Sequence, residues 1–308
     1  MKYPIKNHSA SVRAKLENAA KASGRGFSEF LLFYSIERFL YRLSLIPEGA
    51  SFVLKGGVMF RIWDAETPRP TRDLDLLSYD TNDSKELSRI MSLACAVSFD
   101  EDGIVFDPKS IKATKIKEDA DYEGVRIKLE GKLGTAKTPI QIDIGFGDVV
   151  VPHPITIDYP TVIDLPAPRL KTYTKESVIA EKLHAMVFLG SMNSRMKDFY
   201  DIWFLASKFD FDGKSLGDAV SKTFKLRKTN LEVDPIALCS EFASDSQKQV
   251  QWNAFYVKLM VDRGDENRPD FTEIIQKLRI FIRPLLVSLS ERQVFNQQWL
   301  HKSFNWAE

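Results

Sequence analysis

An α+β fold, with a mixed sheet flanked by helices and an all-helical C-terminal part after it, is what this 308-residue sequence predicts. Two observations carry that reading. Short runs with strand-like alternation lie between residues 51 and 157, interspersed with helical spacing, whereas beyond residue 160 apolar residues recur only at helical intervals. A proline-dense stretch (Pro152, Pro154, Pro160, Pro166, Pro168) separates the two regimes. It disfavours helix, reads as an extended linker, and divides the chain into 1–160 and 161–308. At roughly 150 residues per domain the length accommodates both.

In chain order, apolar residues from Ser11 to about Leu45 fall at helical spacing, punctuated by Gly24 and Gly26 into two helices. The run Ser51 to Leu54 reads as a strand ending at Lys55-Gly56-Gly57, after which Val58, Phe60, Ile62 and Trp63 suggest a helix. A loop containing Pro68 and Pro70 leads to a strand at Asp73-Leu74-Asp75-Leu76-Leu77, and Leu87 to Ala94 is helical. Ile104 to Phe106, Val125 to Leu129 and Ile140 to Ile144 alternate as strands of one sheet. Helices are expected over about 175–189, 196–208, 216–224, 235–242, 247–261 and 271–289.

Composition excludes several classes. With 44% hydrophobic and 28% charged residues the chain is neither disordered, collagen-like nor coiled-coil. A net charge of +1 creates no overall field for polyanions, so any nucleic-acid contact has to come from a local patch such as Lys222, Lys225, Arg227 and Lys228, a run that is usually just solvated surface. Cys95 and Cys239 are the only cysteines, and no Cys/His ligand spacing accompanies them, which fits two thiols in a reducing compartment. The N-terminus is too polar for a signal peptide, and the early apolar run is broken by Glu37, Arg38 and Arg42. The expectation is a cytoplasmic protein with no membrane partner. None of His8, His153, His184 and His301 has a neighbour suggesting a triad or a metal site.

The chemistry-bearing residues begin with Asp73 and Asp75. Side chains two apart on a strand project to one side, and paired carboxylates suit a hard divalent cation such as Mg²⁺. Gly56 and Gly57 lack Cβ atoms, so backbone N–H groups at a helix start can approach a phosphate closely. The plainer alternatives are an ordinary turn and acids paired with Arg69 or Arg72. A third carboxylate, Asp143 in IQIDI, faces away from Ile142 and Ile144. If its strand neighbours the DxD strand, three acids converge, although Asp143 could instead close an edge strand. Asp148 is a weaker candidate, explained by its glycine-rich turn.

Lys182 sits within a broad apolar helix face, where an ammonium either snorkels or meets an anion. Asp198 shares a stripe with Ile202 and Leu205 and therefore faces inward, to pair with Lys182 or Arg195 or to take part in chemistry; Asp201 is expected to act through it.

Taken in order, KGGVMFRIW, TRDLDLL, IQIDIGFGD, ESVIAEKLHAM and RMKDFYDIWFL resemble the AbiEii/AbiGii family of nucleotidyltransferase-like toxins, over about residues 30 to 210. That family lies in the polymerase-beta-like nucleotidyltransferase superfamily. Its members are toxins of type IV toxin-antitoxin or abortive-infection systems, usually encoded beside a separate antitoxin, and some are similar to mycobacterial toxins that add nucleotides to the tRNA acceptor end. The resemblance implies a nucleotidyltransferase core domain in 1–160 and, in 161–308, a helical domain that completes the active site and binds the acceptor.

It further implies transfer of a nucleotide from an NTP to an acceptor, foremost the 3′ end of tRNA. Mg²⁺ would be held by Asp73, Asp75 and Asp143, the alternative role for the last being the base that acts on the attacking oxygen. Gly56 and Gly57 would hold the phosphates, Lys182 would neutralise them, and Asp198 would orient Lys182 or complete the site. Gly57 stands where the wider superfamily usually has Ser, which puts a hydroxyl contact to phosphate in doubt. The alternatives are a kinase-like or protein-nucleotidylating toxin using the same pocket, and a degenerate nucleotide-binding module. The second is disfavoured by the retention of every one of these acids and of Lys182.

Overall fold

The computed structural model describes residues 7–63, 71–119, 122–260 and 269–308. Pro68, Arg69 and Pro70 of the predicted loop lie outside the described residues, as does Val261 at the end of a predicted helix. Contacts divide the chain into two units, Met1–Gly147 with Ile155–Tyr173, and Asp148–Pro154 with Thr174–Glu308.

In the first unit Asn7 opens α1 (His8–Ser23) by accepting from the Ala10 N–H, and Gly24 closes it in the left-handed conformation. Next comes α2 (Phe27–Leu45). The three charged residues that interrupt its apolar run are all buried and all paired. Arg42 makes a two-pronged bond to Asp102, at 2.6 and 3.1 Å, and also donates to the carbonyls of Val97 and Ile104. Glu37 accepts from the Val162 N–H at 2.6 Å and pairs with Arg38 at 2.9 Å. Burial pushes the Glu37 carboxyl up to about 7 despite the pull of Arg38.

Strand β1 (Phe52–Lys55) runs into a 3₁₀ turn, Gly56–Met59, and the single-turn helix α3 (Phe60–Trp63). Then follow β2 (Asp73–Ser78), α4 (Ser84–Ala96) capped by Asp83, and three long strands, β3 (Ile104–Asp119), β4 (Tyr122–Leu133) and β5 (Ala136–Phe146). β6 (Ile155–Asp158) and β7 (Arg169–Thr172) complete a seven-stranded sheet of order β3-β4-β5-β2-β1-β7-β6. The sheet is mixed as expected, with β2–β5 and β1–β7 parallel and the other pairs antiparallel.

The proline-dense stretch, expected as linker, thus supplies two strands. Pro160, Pro166 and Pro168 fall between them, where no ladder needs an N–H donor, and Leu170 and Thr172 turn inward from β7. One face of the sheet carries Leu54, Leu74, Leu76, Ile127, Ile140, Ile142 and Ile144, which form a core with residues of α2 and α4. By alternation the intervening residues occupy the opposite face.

The second unit is predominantly helical: α5 (Lys175–Leu189), α6 (Met196–Lys208), α7 (Gly213–Leu226), α8 (Ser240–Ser244), α9 (Ser246–Met260) and α10 (Phe271–Ser290). Thr174, Asp212 and Asp270 cap α5, α7 and α10 through their side-chain oxygens. The helix expected over 235–242 is a 3₁₀ turn, Ile236–Leu238, followed by the short α8. One addition departs from the all-helical expectation, a small sheet of β8 (Phe211–Asp212), β9 (Gln298–Leu300) and β10 (Asn305–Ala307) in the order β10-β9-β8. Its two tryptophans are anchors. Trp299 and Trp306 pack on Phe281 and donate to the carbonyls of Ala206 and Phe281. Among the described residues no helix is long and apolar enough to cross a membrane.

Candidate active site

On the face of the large sheet opposite the core, register places four charged residues side by side. Lys55 on β1 pairs with Asp75 on β2, Asp75 with Asp143 on β5, and Asp143 with Arg126 on β4. The row reads cation, acid, acid, cation. The neighbouring row is Asp73, Gln141 and Lys128. The strand neighbours needed for the three predicted acids to meet are therefore present: Asp73 and Asp75 lie two apart on β2, and Asp143 stands directly beside Asp75.

Two carboxylates opposite one another on adjacent strands repel, and the structure answers that repulsion locally. Arg126 grips Asp143 with both prongs of its guanidinium, Nε to Oδ1 and Nη2 to Oδ2, each at 2.8 Å. The Gln141 amide Nε2 donates to Asp73 Oδ1 at 2.9 Å and lies 3.5 Å from Asp143 Oδ2, so one side chain bridges the two acids. Lys55 is buried, with its ammonium 5.7 Å from the centre of the Tyr173 ring.

Gly56 is where the backbone requires glycine. Its φ of +73° is left-handed, and a Cβ there would overlap the Asp75 carboxylate. The strand, the turn and the acid thus close on each other without a side chain between them. Gly57 is buried in the same turn, and behind it Phe60 is buried while Arg61 lies 4.4 Å over the Phe33 ring, which ties the turn to α2.

The second unit holds Lys182 and Asp198. Lys182 Nζ on α5 is 2.6 Å from Asp198 Oδ1 and 2.8 Å from Asp201 Oδ2, two fully buried acids one turn apart on α6. Arg195 Nε reaches the other oxygen of Asp198 at 2.7 Å. Burial works to raise the Asp198 carboxyl, but Lys182 and Arg195 together hold it below the usual carboxylate range. Lys182 does not snorkel; it is clamped, and Asp201 touches it directly rather than acting through Asp198.

In the same unit Asp148, the weaker candidate, and His184, which the sequence set aside, both have structural partners. Asp148 is buried and accepts from Arg227 Nη2 at 3.0 Å, which takes Arg227 out of the proposed basic surface run. His184 lies between Arg227, 3.3 Å from Nδ1, and the Thr229 hydroxyl, 2.8 Å from Nε2. Burial, and then the charge of Arg227, push it down to about 4, so it is neutral at physiological pH.

Sequence reasoning passed over Arg126, Gln141 and Lys55. The polar positions of VRIKLE alternate against apolar ones, but alternation reveals a face and not a partner. Only the β4–β5 register brings Arg126 to Asp143.

Among the described residues no group of three or more His, Cys, Asp or Glu is arranged as a metal site. Asp143 is turned to Arg126. The donor chemistry still fits a hard divalent cation, because Asp73, Asp75 and Asp143 offer only carboxylate oxygens, and Gly56 leaves the Asp75 carboxylate lying directly against backbone.

Among known proteins, the family model described as nucleotidyl transferase AbiEii toxin, type IV TA system, matches residues 38–277. No curated protein sequence matches the chain. Two solved structures from Helicobacter pylori are similar. JHP933 is 15% identical with a TM-score of 0.43, over 83% of this chain and 90% of that one. A protein provisionally named a nucleotidyltransferase is 17% identical with a TM-score of 0.45, over 83% and 93%.

Proposed function

The chain belongs to the nucleotidyl transferase AbiEii toxin family of type IV toxin-antitoxin systems, and from that premise we propose that it transfers a nucleotide from an NTP to the 3′ end of a tRNA, with Mg²⁺ held by Asp73 and Asp75. The observation that carries this reading is the in-register adjacency of Asp75 and Asp143, closed on one side by the glycine turn at Gly56. A bound Mg²⁺ would supply positive charge to the triphosphate and lower the cost of pyrophosphate departure.

The remaining work falls to the chain's own groups. Asp73 and Asp75 bind the cation. Gly56 and Gly57 admit phosphate oxygens to backbone N–H groups, since no Cβ intervenes. Asp143, once released from Arg126, takes a further cation or accepts the proton of the attacking hydroxyl. Lys182 neutralises charge on the phosphates, and Asp198 with Asp201 hold its ammonium in place. Membership of a type IV system also implies a separately encoded antitoxin as partner.

The test is incubation of the full chain with each α-labelled NTP, Mg²⁺ and total cellular RNA and protein, alongside Asp75→Asn. Label in the tRNA fraction with the parent and none with the variant supports the reading. Label on protein instead assigns a protein-nucleotidylating toxin, and binding of NTP without any labelled product assigns a degenerate module.

A further inference from the structure

The geometry points to Arg126 as a built-in cation that occupies Asp143, so that in the absence of nucleotide the sheet admits one divalent cation, at Asp73 and Asp75, and not a second. The inference rests on the reading of those two aspartates as metal ligands.

Three observations carry it. Both oxygens of Asp143 are engaged by the guanidinium fork at 2.8 Å, with the Gln141 amide beside Oδ2, so an ion has to compete with Arg126 for the carboxylate. The pairing is built by the sheet, because Arg126 and Asp143 are directly opposite in the β4–β5 ladder, on the face opposite the core. The two partners also differ in exposure. The Asp143 side chain is 10% exposed and the Arg126 side chain 36%, so the acid stays where it is and the arginine has a way out.

The electrostatic logic follows from the row itself. Asp75 and Asp143 repel, and a metal-free protein has to supply a counter-charge; Arg126 supplies it at Asp143. Its fixed positive charge also repels any second cation approaching that carboxylate. A triphosphate removes the obstacle, because phosphate oxygens compete for the same planar fork. The second cation site then opens only when nucleotide is present, and Asp143 is withheld until there is a substrate to act on.

The experiment is a nucleotide-free Mn²⁺ titration of the full chain, read by electron paramagnetic resonance of free Mn²⁺, for the parent, R126Q, R126K and R126Q/D143N, each checked by thermal melt. The parent is expected to bind one Mn²⁺. R126Q should bind a second, because the carboxylate of Asp143 is then open to an ion and the fixed positive charge beside it is gone. R126K keeps the charge and should stay at one, and R126Q/D143N should return to parental behaviour. R126Q binding as the parent does, or a parent that already binds two, overturns the inference while leaving Asp73 and Asp75 as ligands. If no variant binds Mn²⁺, the metal reading itself falls, and this inference with it.

Discussion

The two acidic clusters of this protein are built from the same residue types and do opposite things with them. In the second unit, one ammonium and one guanidinium face two carboxylates, Asp198 and Asp201, both sealed from solvent. That cluster is self-neutralising. In the first unit two acids stand side by side on neighbouring strands, and Asp73, one row away, is exposed. In the first unit the paired acids are flanked by Lys55 and Arg126, and Asp73 beside them is open to solvent; in the second, two buried acids hold a single lysine. Asp73 is near water and Asp143 is buried against Arg126, whereas both carboxylates that position the lysine are buried, because their partner travels with them.

The largest expected effect tests the open cluster. Asp75→Asn should reduce nucleotide transfer by at least ~10³-fold, since the site loses a proposed metal ligand, while the isosteric side chain leaves the fold intact in a thermal melt. A variant that transfers at the parental rate would remove the DxD pair from the mechanism. Lys182→Ala probes the closed cluster and should act on stability as well as on activity. Removing the ammonium takes a direct counter-charge from two buried acids, Asp198 and Asp201, at a cost of about 3–5 kcal/mol read by denaturant unfolding. Parental stability in that variant would erase the contrast between the clusters.

Gly56→Ala sits between these cases. A left-handed φ costs an alanine about 1–2 kcal/mol, and the added Cβ has to displace the Asp75 carboxylate, so transfer should fall further than stability does. Folding that matches the parent together with undiminished transfer would show that the turn is not part of the site.

The smallest effects are in pH dependence, and the two units should differ in sign. Glu37 in the first unit is raised from 4.5 to about 7 by burial, so its contribution to stability is complete below pH 4.5 and is lost as pH rises through 7. His184 in the second unit is lowered from 6.5 to about 4 by burial and Arg227, so its contribution is complete above pH 6.5 and is lost as pH falls through 4. Thermal melts from pH 4 to 8 should lose the first slope in Glu37→Gln and the second in His184→Asn. Slopes unchanged in both variants would mean that other groups govern the profile.

Much of the site was legible before any coordinates. Asp73 and Asp75 share a face by strand alternation, Asp143 opposes Ile142 and Ile144, and the inward stripe of Asp198 and the apolar surroundings of Lys182 follow from helical spacing. Each of these is a local periodicity. Arg126 and Gln141 were illegible for the complementary reason, since a strand pattern says which way a residue faces and nothing about which strand lies beside it. The same limit hid β7, which joins the sheet next to β1 after more than a hundred intervening residues, and β9 and β10, too short for any period to register.

By itself, then, the sequence determined which residues turn inward, where most of the long helices lie, and that an acid pair follows a glycine turn, because steric and hydrophobic periodicities act over a few residues. Tertiary structure alone decided that Asp75 lies beside Asp143, that Arg126 neutralises it and that Asp201 grips Lys182. Those are meetings between segments far apart in the chain, and they depend on strand register and helix packing, which are set by the burial of the whole core.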